Sequence, residues 1–142
     1  MSVINENSHG KLLHNPSMRI CIDTSALVRY FTKDEQDKAD LVEEMLEKEA
    51  RLYVPEAAFP ELEYVLGKQY AVDREGICLS YRFLNDQKNI RLTTQTRIAI
   101  EIYLRTKLDM ADCLIAAHSV KGKLASFDRD LLKLKEVKPY WR

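Results

Sequence analysis

The stretch Ile20-Cys21-Ile22-Asp23-Thr24-Ser25 ends a short apolar run at a turn. A brief apolar run bounded by turn residues is typical of a buried strand, and Asp, Thr and Ser are preferred residues at the start of a helix. Residues 26–31 are apolar enough to continue as a short helix. This stretch therefore predicts a strand that leads directly into a helix.

The same alternation of strand and helix continues along the chain. Further strands are predicted at 52–54, 90–92 and 124–127. Helices are predicted around the apolar stripe Leu41, Val42, Met45 and Leu46, over 55–66, from a cap at Asp73 to Leu84, around 98–103 and over 109–120. A capping box at 32–35 is predicted to open the helix after it. Because short strands separated by helices pair in parallel, the sequence predicts one α/β domain with helices on both faces of a mainly parallel sheet.

The N-terminal segment has a different composition from the rest of the chain. Residues 1–17 are rich in Asn, Ser, Gly and Pro, and we expect a flexible leader there, followed by a folded domain over 18–142. The leader lacks a basic region followed by an apolar stretch, so it is not expected to be a secretory signal. No apolar run approaches the roughly 20 residues needed to span a bilayer.

Composition limits the classes of function. Apolar residues make up 46% of the 142 residues, and 22 basic residues balance 22 acidic ones. This balance argues against a protein that binds nucleic acid by bulk charge, and it leaves local contact with a phosphate backbone open. The cysteines Cys21, Cys78 and Cys113 are far apart among apolar neighbours, which predicts buried thiols in a reducing compartment, the cytoplasm. No His or Cys pair has zinc-ligand spacing, so any bound metal should have oxygen ligands.

Acidic residues follow the predicted strands or begin predicted helices. They are Asp23, Glu61, Asp109, Asp112, Asp128 and Asp130. Because ligands collect at the carboxyl ends of parallel strands, we expect these acids to converge there. Each also has a structural interpretation: Asp23 and Asp109 as helix caps, Asp128 and Asp130 as turn residues, and Glu61 as a solvated side chain.

Asp112 fits a purely structural interpretation least well. It lies within an apolar helical segment, 110–117, and is expected to be well buried. A lone buried carboxylate is costly unless a cation or donors compensate it, and a shared hard cation, Mg²⁺ or Mn²⁺, would do so. Carboxylates that hold such ions commonly hydrolyse phosphodiesters. His118 is the only histidine of the folded part and is expected to be a partly buried helix residue rather than a catalyst.

Four motifs together resemble a known family. They resemble PIN domains of the VapC-type toxin ribonucleases, in order and at family spacing. The four motifs are residues 20–30, the segment from Val54-Pro55 to Glu61-Leu62, residues 109–117 and residues 126–131. The resemblance runs from Met18 to the C-terminus. It implies an α/β/α sandwich with an acidic Mg²⁺ site. The catalytic residues that it implies are Asp23, Glu61, Asp112 and Asp128. The metal ligands that it implies are Asp23, Asp109, Asp112 and Asp128. Thr24 or Ser25 would orient the first acid, and Asp130 would be a further supporting residue.

The resemblance also implies partners and products. Such toxins cut tRNA, rRNA or mRNA, leave a 5′-phosphate and a 3′-hydroxyl, form homodimers and are silenced by a VapB-like antitoxin. Two residues depart from the family pattern, Pro60 and Glu63, the second at a position that is usually apolar. The basic stretch 119–142, which includes Lys123, Arg129 and Lys133, flanks Asp128 and is either an RNA-binding surface or an ordinary solvated face.

Three other functions remain open from the sequence. The chain could be a catalytically silent PIN-like binding or regulatory module, or a PIN nuclease that processes RNA without an antitoxin. An aspartyl phosphatase is disfavoured, because that class needs Asp-x-Asp where this chain has Asp23-Thr24-Ser25.

Overall fold

Three short parallel strands form the central sheet in the order β3-β4-β5, as seen in a computed structural model that describes residues 5–6, 12–13 and 18–141. Ile20 pairs with Leu52, which pairs in turn with Ile90. The strands are β1 Asn5–Glu6, β2 Leu12–Leu13, β3 Ile20–Cys21, β4 Leu52–Tyr53 and β5 Ile90–Arg91. The α-helices are α1 Thr24–Thr32, α2 Gln36–Lys48, α3 Ala58–Tyr64, α4 Arg74–Asp86, α5 Thr94–Arg105, α6 Met110–His118 and α7 Arg129–Leu132, and a π-helix, Val65–Gln69, directly follows α3.

The predicted order of strand and helix is confirmed from β3 to α6. Helix α1 packs on α2 and α3, α5 packs on α4 and α6, and α3 also contacts α6. The strands β1 and β2 pair antiparallel. The other residues predicted to form the flexible leader 1–17 lie outside the described residues. None of the helices among the described residues is long and apolar enough to cross a membrane.

Aspartates begin several of the helices. The side chains of Asp23, Asp73, Asp109 and Asp128 each accept a hydrogen bond from a backbone N–H in the first turn that follows. These bonds satisfy N–H groups that have no partner within the helix. The predicted caps of α1, α4 and α6 are therefore confirmed.

Three buried aromatic rings contact one another, one pair tilted and one pair edge-to-face, in the core between α3, α4 and α5. Tyr81 lies 5.5 Å from Phe59 and 4.9 Å from Tyr103, measured between ring centroids. The Tyr81 hydroxyl donates to the carbonyl of Phe59 at 2.5 Å. Burial raises the pKa of Tyr81 far above its ordinary value, so this hydroxyl stays a neutral donor. These ring contacts tie α3, α4 and α5 together.

Two local predictions are wrong. Residues 124–127 do not form a fourth strand of the sheet, because Leu124 pairs in an isolated parallel bridge with Pro139 instead. Residues 32–35 do not form a capping box. Thr32 donates its hydroxyl to the Val28 carbonyl at the end of α1, and α2 starts after Glu35 without a side-chain cap.

The surroundings of two other residues also differ from prediction. Cys21 is exposed, because its side chain faces away from the core side on which the next residue, Ile22, is buried. Cys78 is half-buried, and Cys113 is buried as predicted. His118 is exposed at the end of α6, where its ring Nε2 lies 2.9 Å from a carboxylate oxygen of Glu56. His118 is therefore a surface residue paired with an acid, and the prediction that it is partly buried is wrong.

Candidate active site

Asp23 lies two residues beyond the end of β3, exposed at the carboxyl edge of the sheet. Its Oδ1 accepts hydrogen bonds from the Ser25 N–H at 2.5 Å and from the Ser25 hydroxyl at 2.7 Å. The Ser25 hydroxyl is the main reason that the pKa of Asp23 lies below its ordinary value. Ser25 thus orients the carboxylate and favours its ionised form, while Thr24 is buried.

The start of α6 carries two aspartates on one face. Asp109 caps the helix, and its Oδ1 accepts from the Asp112 N–H at 2.8 Å. Asp112 is half-buried rather than well buried, because Ala111 and Ile115 beside it leave one side of α6 exposed. Burial first, and then the charges of Asp109, Asp128 and Asp130, raise the pKa of Asp112.

The segment 126–131 presents the remaining two aspartates. Asp128 Oδ1 accepts from the N–H groups of Asp130 at 2.9 Å and Leu131 at 3.3 Å, and the Asp128 N–H donates to the Ser126 hydroxyl oxygen at 3.0 Å. Asp128 is therefore a turn and capping residue, and its carboxylate is exposed. The charges of Asp109, Asp128 and Asp130 lie near enough to Asp112 to add to the effect of burial on its pKa.

Glu61 is exposed on α3. Within the described part of the chain, no three His, Cys, Asp or Glu side chains surround a position where they could hold one metal ion. The convergence of Asp23 and Glu61 with Asp112 and Asp128 around an ion therefore remains a prediction.

The donor chemistry of four aspartates, which we call the aspartate cluster (Asp109, Asp112, Asp128 and Asp130), suits a hard cation. Their side chains offer carboxylate oxygens, the ligands that Mg²⁺ and Mn²⁺ prefer. Burial and, after it, the charges of the other three raise the pKa of Asp112, and a bound cation would offset both effects. On this ground the residues present fit a divalent metal.

Glu63 holds the start of α6 from the neighbouring helix α3. Its Oε1 accepts from the Met110 N–H at 2.9 Å and its Oε2 accepts from the Tyr103 hydroxyl at 2.8 Å. The Met110 N–H is one of the donors that a helix leaves unpaired at its first turn. Glu63 therefore fixes the end of α6 that carries Asp109 and Asp112. The sequence marked this residue only as an acid at a usually apolar position.

Arg74 completes this arrangement, which we call the Glu63 network (Glu63, Arg74 and Tyr103). Its guanidinium lies 3.8 Å from the centroid of the Tyr103 ring and donates to the carbonyls of Tyr103 at 3.0 Å and Leu108 at 2.7 Å. The bond to Leu108 anchors the loop between α5 and α6. Sequence reasoning missed Arg74, because its partners are distant in sequence and include two backbone carbonyls.

The predicted RNA-binding residues Lys123, Arg129 and Lys133 are exposed around the segment that contains Asp128. Phe127, which precedes Asp128, is 84% exposed and stacks on Trp141 with 4.8 Å between ring centroids and 5° between ring planes. The role of the three cations stays a prediction.

Comparison with known proteins agrees with this architecture. The family model described as the PIN domain matches residues 20–137. A VapC ribonuclease from Aquifex aeolicus (strain VF5) is 35% identical over 133 residues, an alignment that covers 84% of this chain and 96% of the relative. The family has the predicted α/β/α fold, and its nucleases generally depend on a divalent metal. The chain therefore belongs to the PIN domain family and, within it, to the VapC-like proteins.

Proposed function

We propose that the protein is an endoribonuclease that uses Mg²⁺ or Mn²⁺ to hydrolyse RNA phosphodiesters, and that it is the toxin of a toxin–antitoxin pair. The observation that carries the proposal is the set of carboxylates Asp109, Asp112, Asp128 and Asp130: burial, and then the charges of the other three, raise the pKa of Asp112, and a bound cation would offset both effects. The likeness to a VapC ribonuclease over most of both chains supports the RNA substrate.

Each site residue has a proposed role. Asp23, Asp109, Asp112 and Asp128 would hold the metal, with Asp130 beside them and Glu61 approaching from α3. A bound divalent ion lowers the pKa of water and offsets charge on the phosphate. Ser25 keeps Asp23 oriented and ionised, and the Glu63 network holds α6 in place. Lys123, Arg129 and Lys133 would bind the RNA backbone.

Partners and location follow from the same likeness and from the thiols. The similarity to VapC supports a VapB-like antitoxin and a homodimer. The three cysteines are free thiols, which fits a reducing compartment, the cytoplasm. Inducing the protein in cells and sequencing the ends of the isolated RNA would show whether it cuts tRNA, rRNA or mRNA.

Chelation tests the proposed chemistry. We expect EDTA to abolish RNA cleavage by the purified protein and excess Mg²⁺ or Mn²⁺ to restore it, because the aspartates supply no proton-transfer pair that could replace a metal. The cleavage products should carry 5′-phosphate and 3′-hydroxyl ends, which end-labelling measures. Cleavage that persists in EDTA, or a 2′,3′-cyclic phosphate product, would contradict the proposal.

Replacing Ser25 tests how Asp23 is held. The change Ser25→Ala removes the hydroxyl that lowers the pKa of Asp23, so this pKa should rise toward its ordinary value. We expect the Mg²⁺ concentration for half-maximal cleavage to rise by about tenfold, as for other residues that orient a ligand, and the acid limb of the pH profile to move to higher pH. A Mg²⁺ titration at several pH values measures both effects.

The control for this change is Ser80→Ala, which removes a hydroxyl from α4 that donates to the Gly76 carbonyl. It should leave the Mg²⁺ requirement as in the wild type. If Ser25→Ala also leaves it unchanged, Ser25 does not act through Asp23.

A further inference from the structure

The sheet has a second edge, opposite the one that carries Asp23. Residues that directly precede the three parallel strands lie side by side there: the Ile20 N–H donates to the Arg51 carbonyl at 2.9 Å, and the Leu52 N–H donates to the Asn89 carbonyl at 2.9 Å. A cavity of about 340 Å³ opens at this amino edge. Its volume lies within the range of ligand sites in proteins.

Five cationic side chains line this cavity, and none of its described lining residues is acidic. We call the five the amino-edge cations: Arg19, Arg51, Lys88, Arg91 and Arg97. In a protein with equal numbers of acidic and basic residues, such a grouping of one sign concentrates positive potential in one concave place.

Two of the amino-edge cations are held in position by other residues. The Arg19 guanidinium lies 4.5 Å from the centroid of the Tyr53 ring, and Arg97 donates to the Asn85 side-chain oxygen at 2.7 Å. Neither contact neutralises the positive charge. Cations fixed in this way lose less side-chain entropy when an anion binds than mobile surface lysines do.

We propose that the amino-edge cations form a second RNA-binding site that holds the phosphate backbone of the substrate away from the aspartate cluster. The inference rests on the proposed function for its choice of ligand. Arginine pairs with phosphate through two parallel hydrogen bonds, and cations placed beside three adjacent strands suit a chain of phosphates. An acidic cleavage site also repels RNA, so a separate cationic site adds to the attraction proposed for Lys123, Arg129 and Lys133.

The test is RNA binding without cleavage. In EDTA, filter binding measures the affinity of the wild type for a radiolabelled RNA of about 30 nucleotides and for one of about five, which is too short to reach both edges. The double variant Lys88→Ala/Arg91→Ala should bind the longer RNA about tenfold more weakly. For this variant, the slope of log affinity against log salt concentration should be smaller in magnitude by about 1.4, because each phosphate contact contributes about 0.7 to this slope for a single strand.

A matched control separates a local effect from total charge. Lys38→Ala/Arg82→Ala removes the same two residue types from exposed positions on α2 and α4. The affinity of this control variant for the longer RNA should stay within twofold of the wild-type affinity. The five-nucleotide RNA can bind the amino edge by itself, so Lys88→Ala/Arg91→Ala should weaken its binding too, by no more than it weakens binding of the longer RNA. Equal weakening of the longer RNA by the two double variants, or no weakening at all, would overturn the proposal.

Two further results would distinguish the competing explanations. If the amino-edge cations bind a poly-glutamate peptide and not RNA, the cavity accommodates an acidic protein segment and the proposal is wrong. If the wild type binds long RNA through Lys88 and Arg91 yet never cleaves it with Mg²⁺ or Mn²⁺, the binding site stands and the proposed nuclease function fails.

Discussion

Replacing Asp112 with Asn is expected to lower the rate of RNA cleavage by about 10²- to 10³-fold. A bound divalent ion contributes several kcal/mol of transition-state stabilisation, and each 1.4 kcal/mol or so is a factor of ten in rate. Asp112 is the acid on which burial and three neighbouring charges act together, so we expect its loss to weaken metal binding most. Single-turnover cleavage at saturating Mg²⁺ measures the effect.

The same change should make the metal-free protein more stable at neutral pH. A carboxyl whose pKa is raised on folding costs stability once it is ionised in the folded state. This cost is absent at a pH below the pKa that Asp112 has in the unfolded chain. It grows as the pH rises through the pKa that Asp112 has in the folded protein. In EDTA, Asp112→Asn should therefore melt above the wild type at pH 7, and the difference should shrink as the pH is lowered.

Asp37→Asn is the matched control, because Asp37 also lies in the first turn of a helix, α2, and is exposed. There the negative charge interacts favourably with the helix N-terminus, so its removal should lower the melting temperature slightly and leave cleavage unchanged. If Asp112→Asn instead destabilises the metal-free protein as Asp37→Asn does, its role is that of an ordinary helix residue.

Replacing Glu63 with Ala should have the largest effect on stability, with a loss of about 3 kcal/mol. The change leaves two donors unpaired, the Met110 N–H and the Tyr103 hydroxyl, and each uncompensated buried group costs about 1–3 kcal/mol. For a chain of this size the melting temperature should fall by about 10 °C. At temperatures where the variant stays folded, cleavage should still drop by about tenfold, because a displaced α6 moves Asp109 and Asp112.

Two variants control the Glu63 experiment. Glu63→Gln keeps one acceptor oxygen and should lose less stability than Glu63→Ala, whereas Glu101→Ala, at an exposed site on α5, should change neither property. A Glu63→Ala protein that is destabilised but cleaves RNA at the wild-type rate when folded would show that Glu63 supports the fold and does not position the aspartates.

The features predicted correctly are those encoded by neighbouring residues. The strand 20–22, the caps Asp23, Asp73 and Asp109, and the helices that follow them depend on contacts within a few positions of the chain. Local hydrogen bonds of this kind can be predicted from residue type and spacing.

The features that were missed depend on contacts between distant segments. The apolar run 124–127 has the composition of a strand, but its partner is Pro139 rather than the sheet, and a pattern of residue types does not specify a partner. The Glu63 network joins α3, α4 and α5 across the fold, and the amino-edge cations come from segments 19, 51 and 88–97. Each set becomes visible only when the strands and helices are packed.

The stack of Phe127 on Trp141 has a practical consequence. Trp141 is the only tryptophan of the chain, and its partner ring precedes Asp128 directly. The tryptophan fluorescence of the protein therefore comes from a single indole beside the aspartate cluster, without background from a second tryptophan. The protein carries its own optical label at the candidate site, so ions and oligonucleotides could be titrated there without an attached dye.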